Sequence, residues 1–222
     1  MNQPYAWLIF IAVLAVALLL AAKAKNKLAD EPPANIMDVN AWELGPIYDG
    51  RNVSSGYSLQ TVDEGWALDI PLAGAGSVHY VTVPTGSLTG KTKITMVCRL
   101  DMSEGVRLCP VKSPDAPSLL TLYFQRRGDN WSGAFQYETY RWFASFATQV
   151  DLTAGEYTIE ARFWENWTAI MSSSRLTQPA AFADALANAG RIGFVLGGGD
   201  GLGHGVYATG PARLVVKSFK VE

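Results

Sequence analysis

The chain predicts an all-β domain, a two-sheet antiparallel sandwich with one short late helix, set behind an N-terminal transmembrane helix. Three observations lead there. Residues 5–22 run eighteen positions without a charged or strongly polar side chain. After Glu31 the sequence changes to short segments of alternating hydrophobicity separated by Gly, Pro, Asn and Asp, the pattern of half-buried strands joined by turns. A single late stretch, opening at Pro179 and stopping at Gly190, switches to helical spacing.

Eighteen apolar residues at 1.5 Å of rise cover about 27 Å, close to the hydrocarbon thickness of a bilayer. A cleaved signal peptide is the competing reading, but it wants a basic leader and a shorter apolar core. Met1-Asn2-Gln3-Pro4 holds no Lys or Arg, and Ala22-Lys23-Ala24 is a weak, cationic cleavage signature. A buried core helix is disfavoured because the run is apolar on every face. Residues 1–25 therefore read as an anchor whose partner is the lipid bilayer through residues 5–22. Lys23, Lys25 and Lys27 follow the run, with only the α-amino group before it. The positive-inside rule then puts the domain of a single-pass protein on the cytoplasmic side, or the equivalent side of a virion membrane. Residues 26–39, polar with Pro32-Pro33, read as a stiff spacer. Residues 40–222 read as one domain, large enough for a well-buried core and too small for two.

Three of the eighteen basic residues, and none of the twenty acidic ones, lie in the first 27 positions. The rest of the chain is thus mildly acidic, which argues against nucleic acid as a partner, since that needs a clustered basic surface.

Candidate strands are 66–70, 78–83, 93–101, 106–111, 119–127, 133–138, 143–150, 156–164, 168–172, 191–196 and 212–221. Turn chemistry separates them, as in Arg127-Gly128-Asp129-Asn130 and Leu152-Thr153-Ala154-Gly155. The helix starts with Pro179, pairs Phe182 with Leu186 one turn on, and ends before Gly190. Alternation assigns faces within strands. Ile94, Met96, Cys98 and Leu100 oppose Thr95, Val97, Arg99 and Asp101. Tyr157, Ile159, Ala161 and Phe163 oppose Thr158, Glu160, Arg162 and Trp164. Leu120, Leu122 and Phe124 oppose Thr121, Tyr123, Gln125 and Arg127. Each strand thus offers one oily face and one face mixing aromatic with hydrogen-bonding groups. Cys98 and Cys109 flank a turn at Gly105. They read either as a disulfide across a hairpin or as two small buried thiols, which stay reduced on a cytoplasmic side.

The order of strands, a late short helix, then Gly190-Arg-Ile-Gly-Phe-Val-Leu-Gly197 and a closing Ala212-Arg-Leu-Val-Val-Lys-Ser-Phe-Lys-Val221 resembles the concanavalin-A-like jelly roll of legume-type lectins, laminin-G-like modules and related glycanases. The resemblance covers about residues 40–222 and rests on hydrophobic patterns. It implies a jelly-roll sandwich whose mixed faces line a concave, ligand-binding sheet. The ligand contacts expected on those faces are Arg99, Tyr123, Gln125, Glu160, Arg162 and Trp164. The aromatic band Trp131, Tyr137, Tyr140, Trp142, Trp164 and Trp167 fits sugar stacking, with part of it expected in the core.

Catalytic chemistry is less well supported. The resemblance would bring an E-x-D-x-x-E-like carboxylate run, and none is present; Glu160 alternates with Arg162 instead of with a second acid. His79 and His204, the two histidines, have no flank resembling a nucleophile elbow. The loop Gly197-Gly-Gly-Asp-Gly-Leu-Gly-His-Gly205 reads either as a ligand-covering loop with Asp200 and His204 as polar contacts or as a wide connection between sheets. Asp129-Asn130 and Asp200 are too sparse for calcium, so no metal and no cofactor are expected. The leading expectation is a membrane-anchored, non-catalytic lectin-like module for carbohydrate or surface recognition. The alternative is a structural membrane protein of an assembly such as a virus particle, linking membrane to protein shell. A glycan hydrolase or lyase comes third.

Overall fold

The computed structural model describes residues 35–222. The expected anchor and the spacer up to residue 34 lie outside the described residues, among which no helix is long and apolar enough to cross a membrane. Ile36, Met37 and Val39 pack against the core, and Trp42 Nε1 donates to the Ile36 carbonyl at 2.8 Å. The folded unit therefore takes in residues that the composition assigned to the spacer.

The chain is mostly strand, arranged in antiparallel sheets. The larger, seven-stranded sheet runs β1 (Glu43–Gly45), β6 (Tyr80–Pro84), β14 (Ala189–Gly197), β9 (Leu119–Arg126), β10 (Arg141–Phe143), β13 (Thr168–Ala169), with β11 (Val150–Asp151) also pairing β9. The five-stranded sheet runs β12 (Gly155–Arg162), β7 (Lys93–Met102), β16 (Ala212–Val221), β5 (Gly65–Asp69), β4 (Ser58–Val62). Two ribbons, β2 (Ile47–Tyr48) with β3 (Arg51–Asn52) and β8 (Leu108–Pro110) with β15 (Val206–Ala208), complete it.

One apolar interior joins the inner faces of both large sheets in a sandwich-like arrangement. Leu122, Phe124, Phe194 and Trp142 come from one side, Trp66, Met96, Leu214 and Phe219 from the other. Trp66 stacks on Phe194 with ring centroids 6.4 Å apart, and Trp42 closes the end against Phe219 at 5.2 Å. The helix Pro179–Ala187 presses Phe182 onto Phe124 and Trp142. Each such ring, removed from water, contributes roughly 1.5–3 kcal/mol.

Three expectations are corrected. Segment 133–138 is a 3-10 helix, Phe135–Thr139, because short polar side chains take the N–H groups a ladder needs: Asn130 Oδ1 accepts from Ser132 N at 3.0 Å, and Ser132 Oγ accepts from Ala134 N at 3.2 Å. Segment 143–150 breaks the same way, where Ser145 caps a 3-10 turn over Phe146–Thr148. The turn at Gly105 does not pair β7 with β8; β8 pairs β15 and leaves Cys98 and Cys109 as two free, buried thiols. Burial pushes the Cys98 thiol up to about 12. Strands β1 to β4 escape the alternation test because they are short or lie at an edge: Ser58–Val62 half-buries only Leu59 and Val62.

Candidate binding groove

The outward positions of the seven-stranded sheet fall into rows. Register aligns Glu43, Thr82, Gly193, Tyr123 and Phe143 in one, and Pro84, Arg191, Gln125 and Arg141 in the next. Gly193 leaves a notch mid-row, and it must be glycine, since a Cβ there would lie 2.1 Å from the Val81 carbonyl oxygen. Tyr80, Tyr123, Phe143 and Val195 form a second apolar cluster on this face, separate from the core and covered by Trp131, Ile170 and Leu202.

The cover is fixed by a buried knot. Asp129, its side chain wholly buried, stands with its Oδ2 2.9 Å from Arg141 Nε, an ion pair off hydrogen-bond alignment. Gln125 Nε2 donates to the same carboxylate at 2.8 Å, and the Trp131 N–H donates to Asp129 Oδ1 at 3.1 Å. Arg141 Nη2 then donates to the Trp131 carbonyl at 2.9 Å, and its guanidinium lies 5.1 Å from the centre of the Trp131 ring. These contacts hold Trp131 at φ 67°, a left-handed conformation that costs a non-glycine residue on the order of 1–3 kcal/mol. Such strain persists where surroundings over-determine it, and it stands here over a groove. Trp131 packs edge-on against Tyr80 at 5.1 Å, and Tyr80 against Tyr123 at 5.1 Å.

Burial raises the Asp129 carboxyl, opposed first by Arg141. It also pushes the Tyr80 phenol up to about 12 against the nearby Arg141. Thr121 Oγ1, Tyr123 Oη and Gln125 Oε1, on three successive outward positions of β9, are buried with no protein hydrogen-bond partner. Burying such groups unpaired costs free energy, so this face carries hydrogen-bonding capacity that the protein leaves unused.

Two clefts open on either side of Trp131 and Tyr80. The first, about 690 Å³, is walled by Glu43, Thr82, Gln125, Asp129 and Arg191. Arg191 is aimed by its neighbours: Nε donates to Thr82 Oγ1 at 2.9 Å, and Nη2 lies 2.8 Å from Glu43 Oε2. The second, about 660 Å³, is walled by Tyr48, Phe143, Phe146, Ile170 and Leu202, with His79 and His204. The glycine-rich loop between β14 and β15 connects the seven-stranded sheet to the β8–β15 ribbon, and its Gly199, Asp200, Leu202, Gly203 and His204 line the second cleft. Gly203 sits on Tyr80, where a Cβ would meet the phenol oxygen at 2.6 Å.

His79 Nδ1 lies 3.3 Å from the Gly203 carbonyl, which can only accept, so Nε2 accepts from the Ser77 hydroxyl at 2.9 Å. Burial lowers the His79 pKa, partly opposed by the Gly203 bond, and His204 adds to the lowering. The pair has a carbonyl where a hydrolase relay places a carboxylate. Among the described residues no His, Cys, Asp and Glu side chains group for a metal ion.

The six expected contact residues do not share one surface. Tyr123 and Gln125 face the groove, buried beneath its cover. Arg99, Glu160, Arg162 and Trp164 lie on or beside the outer face of the opposite sheet, because alternation separates outward from inward without saying which sheet a strand joins. There Arg99 donates to both Glu64 oxygens at 2.9 Å and to Asp101 at 2.8 Å. Lys93 reaches Glu160 at 2.7 Å, Arg162 also pairs Glu160, and the Arg162 guanidinium lies 5.6 Å from the Trp164 ring centre. Lys217 joins Glu64 to Glu156 at 2.7 and 2.5 Å. Of the aromatic band, Trp142 and Trp167 fill the core and Trp131 covers the groove. Sequence reasoning missed Tyr80, Thr82, Asp129, Arg141 and Arg191. The Asp129-Asn130 turn beside Trp131 was the one local signal, read as a sparse calcium candidate. No family model, curated protein or solved structure matches the chain.

Proposed function

We propose that the protein is a non-catalytic carbohydrate-binding module presented from a membrane, its sandwich a concanavalin-A-like jelly roll and its ligand lying along the groove of the seven-stranded sheet. The observation that carries this reading is Trp131, held in a strained left-handed conformation by the buried Asp129–Arg141–Gln125 knot above a polar cleft. Sugars stack apolar C–H faces on such rings while charged and amide groups take their hydroxyls. Arg191, Thr82 and Glu43 supply fixed polar partners beside it. The buried carboxylate of Asp129 is committed to Arg141, which favours binding over glycoside hydrolysis, the third reading.

A second reading, a structural component tying a membrane to a protein assembly, draws on apolar side chains exposed away from the groove, Phe135 and Leu176. A glycan array probed with the full chain in phosphatidylcholine nanodiscs separates the two. The carbohydrate reading expects binding to at least one glycan and about a tenfold loss in Arg191→Ala, the worth of a charged hydrogen bond. No binding at millimolar glycan, with protein partners co-purifying, overturns it in favour of the structural role.

A further inference from the structure

We propose that the free edge of the five-stranded sheet, β4, pairs antiparallel with β4 of a second copy, giving a side-by-side dimer whose two grooves face one way. This rests on the membrane-presented reading and adds the arrangement in which the module works. The end strands of the two large sheets are finished differently. At β1 the Leu44 carbonyl accepts from Asn52 Nδ2 at 2.8 Å, and the Gly45 carbonyl from the Ser54 hydroxyl at 2.6 Å. At β13 the following segment closes the edge: the Ala169 N–H donates to the Ser173 carbonyl at 2.7 Å and the Arg175 N–H to the Trp167 carbonyl at 2.8 Å. The β12 edge carries Glu156, Glu160 and Arg162, charges that deter a further strand. By contrast β4, Ser58-Leu-Gln-Thr-Val62, has no charge, no proline and no register shift.

Register identifies the free groups. The Ile70 N–H donates to the Ala212 carbonyl at 3.0 Å, so Trp66 and Leu68 also turn their backbone groups toward β16, and Gly65, Ala67 and Asp69 turn theirs toward β4. Their partners Val62, Gln60 and Ser58 are thereby satisfied. The N–H and C=O groups of Leu59 and Thr61 face outward, and among the described residues no hydrogen bond reaches them. They flank Gln60 symmetrically. Two copies meeting with Gln60 opposite Gln60 form four hydrogen bonds, each Leu59 with the other copy's Thr61. The same register sets Ser58 against Val62 and Tyr57 against Asp63, so no like charges meet. The two-fold axis runs perpendicular to the joined sheet, which leaves both seven-stranded sheets and both grooves on one side. A glycan-bearing surface then meets two sites at once.

Five residues a side fall short of the roughly 20–30 of a stable interface, so the pairing needs copies that are already neighbours. The place where the chain enters the domain provides this. The 3-10 turn Val39–Ala41 lies against β4, and a Cβ at Gly65, where β5 begins, would meet Met37 Cε at 3.1 Å. The residues ahead of Asn35 therefore join the domain beside this edge, with only residues 23–34 between it and the apolar run 5–22. Copies anchored in one bilayer carry their β4 edges close to their anchors.

Oxidative cysteine cross-linking of the full chain in phosphatidylcholine liposomes tests this. Opposed residues of a non-hydrogen-bonded pair lie about 4.5 Å apart at Cα, within disulfide range, so Gln60→Cys links across the axis. Ser58→Cys lies about 13 Å from its counterpart along the strands and does not. The native thiols, Cys98 and Cys109, are buried, and the wild type measures their background. The expected result is a disulfide-linked dimer in Gln60→Cys, formed about tenfold faster than in Ser58→Cys. Adding Thr61→Pro removes an outward N–H and no ladder bond, so it should slow the Gln60→Cys link about tenfold while the melting temperature holds. Equal rates at 60 and 58, no link at 60 in liposome-bound chain, or a link that Thr61→Pro leaves unchanged overturns the inference. If Thr61→Pro unfolds the chain, the comparison of 60 with 58 decides alone. A chain that fails to float with the liposomes counts against the membrane reading, and the pairing falls with it. The glycan array stays an independent test, because the groove lies on the other sheet.

Discussion

The two outer faces of this protein are both rich in charged and aromatic side chains, and they use them in opposite ways. On the five-stranded sheet Lys93, Arg99, Lys217, Glu64, Glu156 and Glu160 pair with one another in a half-exposed lattice that satisfies itself in water. On the seven-stranded sheet the ion pair Asp129–Arg141 is withdrawn from solvent, with side-chain exposures of 0% and 5%, and holds Trp131 over a groove, while Arg191 and Glu43 pair at its edge. Density of charge is therefore a poor guide to a binding face. What sets the proposed groove apart is the left-handed conformation at Trp131 that its neighbours hold in place.

The sharpest way to break the comparison is to remove one charge from each face. Arg141→Met leaves Asp129 buried and unpaired, and is expected to cost about 3–5 kcal/mol of unfolding free energy in a urea titration. Arg99→Met, on the solvated lattice, is expected to leave the midpoint unchanged within error. A midpoint shift as large for Arg99 as for Arg141 would erase the distinction.

Strain at Trp131 gives a smaller effect. Trp131→Gly adopts φ 67° freely whereas Trp131→Ala does not, so the glycine variant should be the more stable of the two by about 1 kcal/mol, although neither keeps the ring. The reverse order would mean that the left-handed conformation is not held by the knot.

The two faces also lose stability in different pH windows. His79 in the folded protein titrates below its ordinary value of 6.5, so the unfolded chain takes up the proton first. Stability is whole above 6.5 and falls as pH drops through the folded value; His79→Gln should flatten that limb of a thermal-melt series. Glu64 and Glu160 are lowered by Lys217 and Lys93, first among their partners, so their contribution is present above about 4.5 and is lost as pH falls further. Molar salt, which screens solvated pairs, should produce the smallest change, a slight weakening above about pH 4.5, where Glu64 and Glu160 are charged.

Much of the scaffold was legible from alternation. Strand 93–101 reads correctly because it buries every second residue, as Ile94, Met96, Cys98 and Leu100 do; 156–164 stops short at Arg162, and 212–221 is a strand whose alternation is broken by a bulge between Val216 and Ser218. The helix read correctly because Pro179 and Phe182 fix its start and inner face. The groove was only half legible. Tyr123 and Gln125 were found as outward polar positions, but Arg99, Glu160, Arg162 and Trp164 came from strands of the other sheet, and a period of two carries no information about sheet membership. Asp129 and Arg141 lie twelve positions apart across turns with no period, so their pairing is a product of tertiary closure.

The central claim, that ligand is held on the seven-stranded sheet by Trp131, is tested most directly with two tryptophans. Trp131 covers the groove, and Trp164, 58% exposed, stands beside the opposite face. Isothermal titration of the array-selected glycan into the full-length protein and its Trp131→Ala and Trp164→Ala variants should show at least a tenfold loss for Trp131→Ala, on the scale of one aromatic contact, and no change for Trp164→Ala. Full affinity in Trp131→Ala with loss in Trp164→Ala would contradict the account and move the site to the ion-pair face.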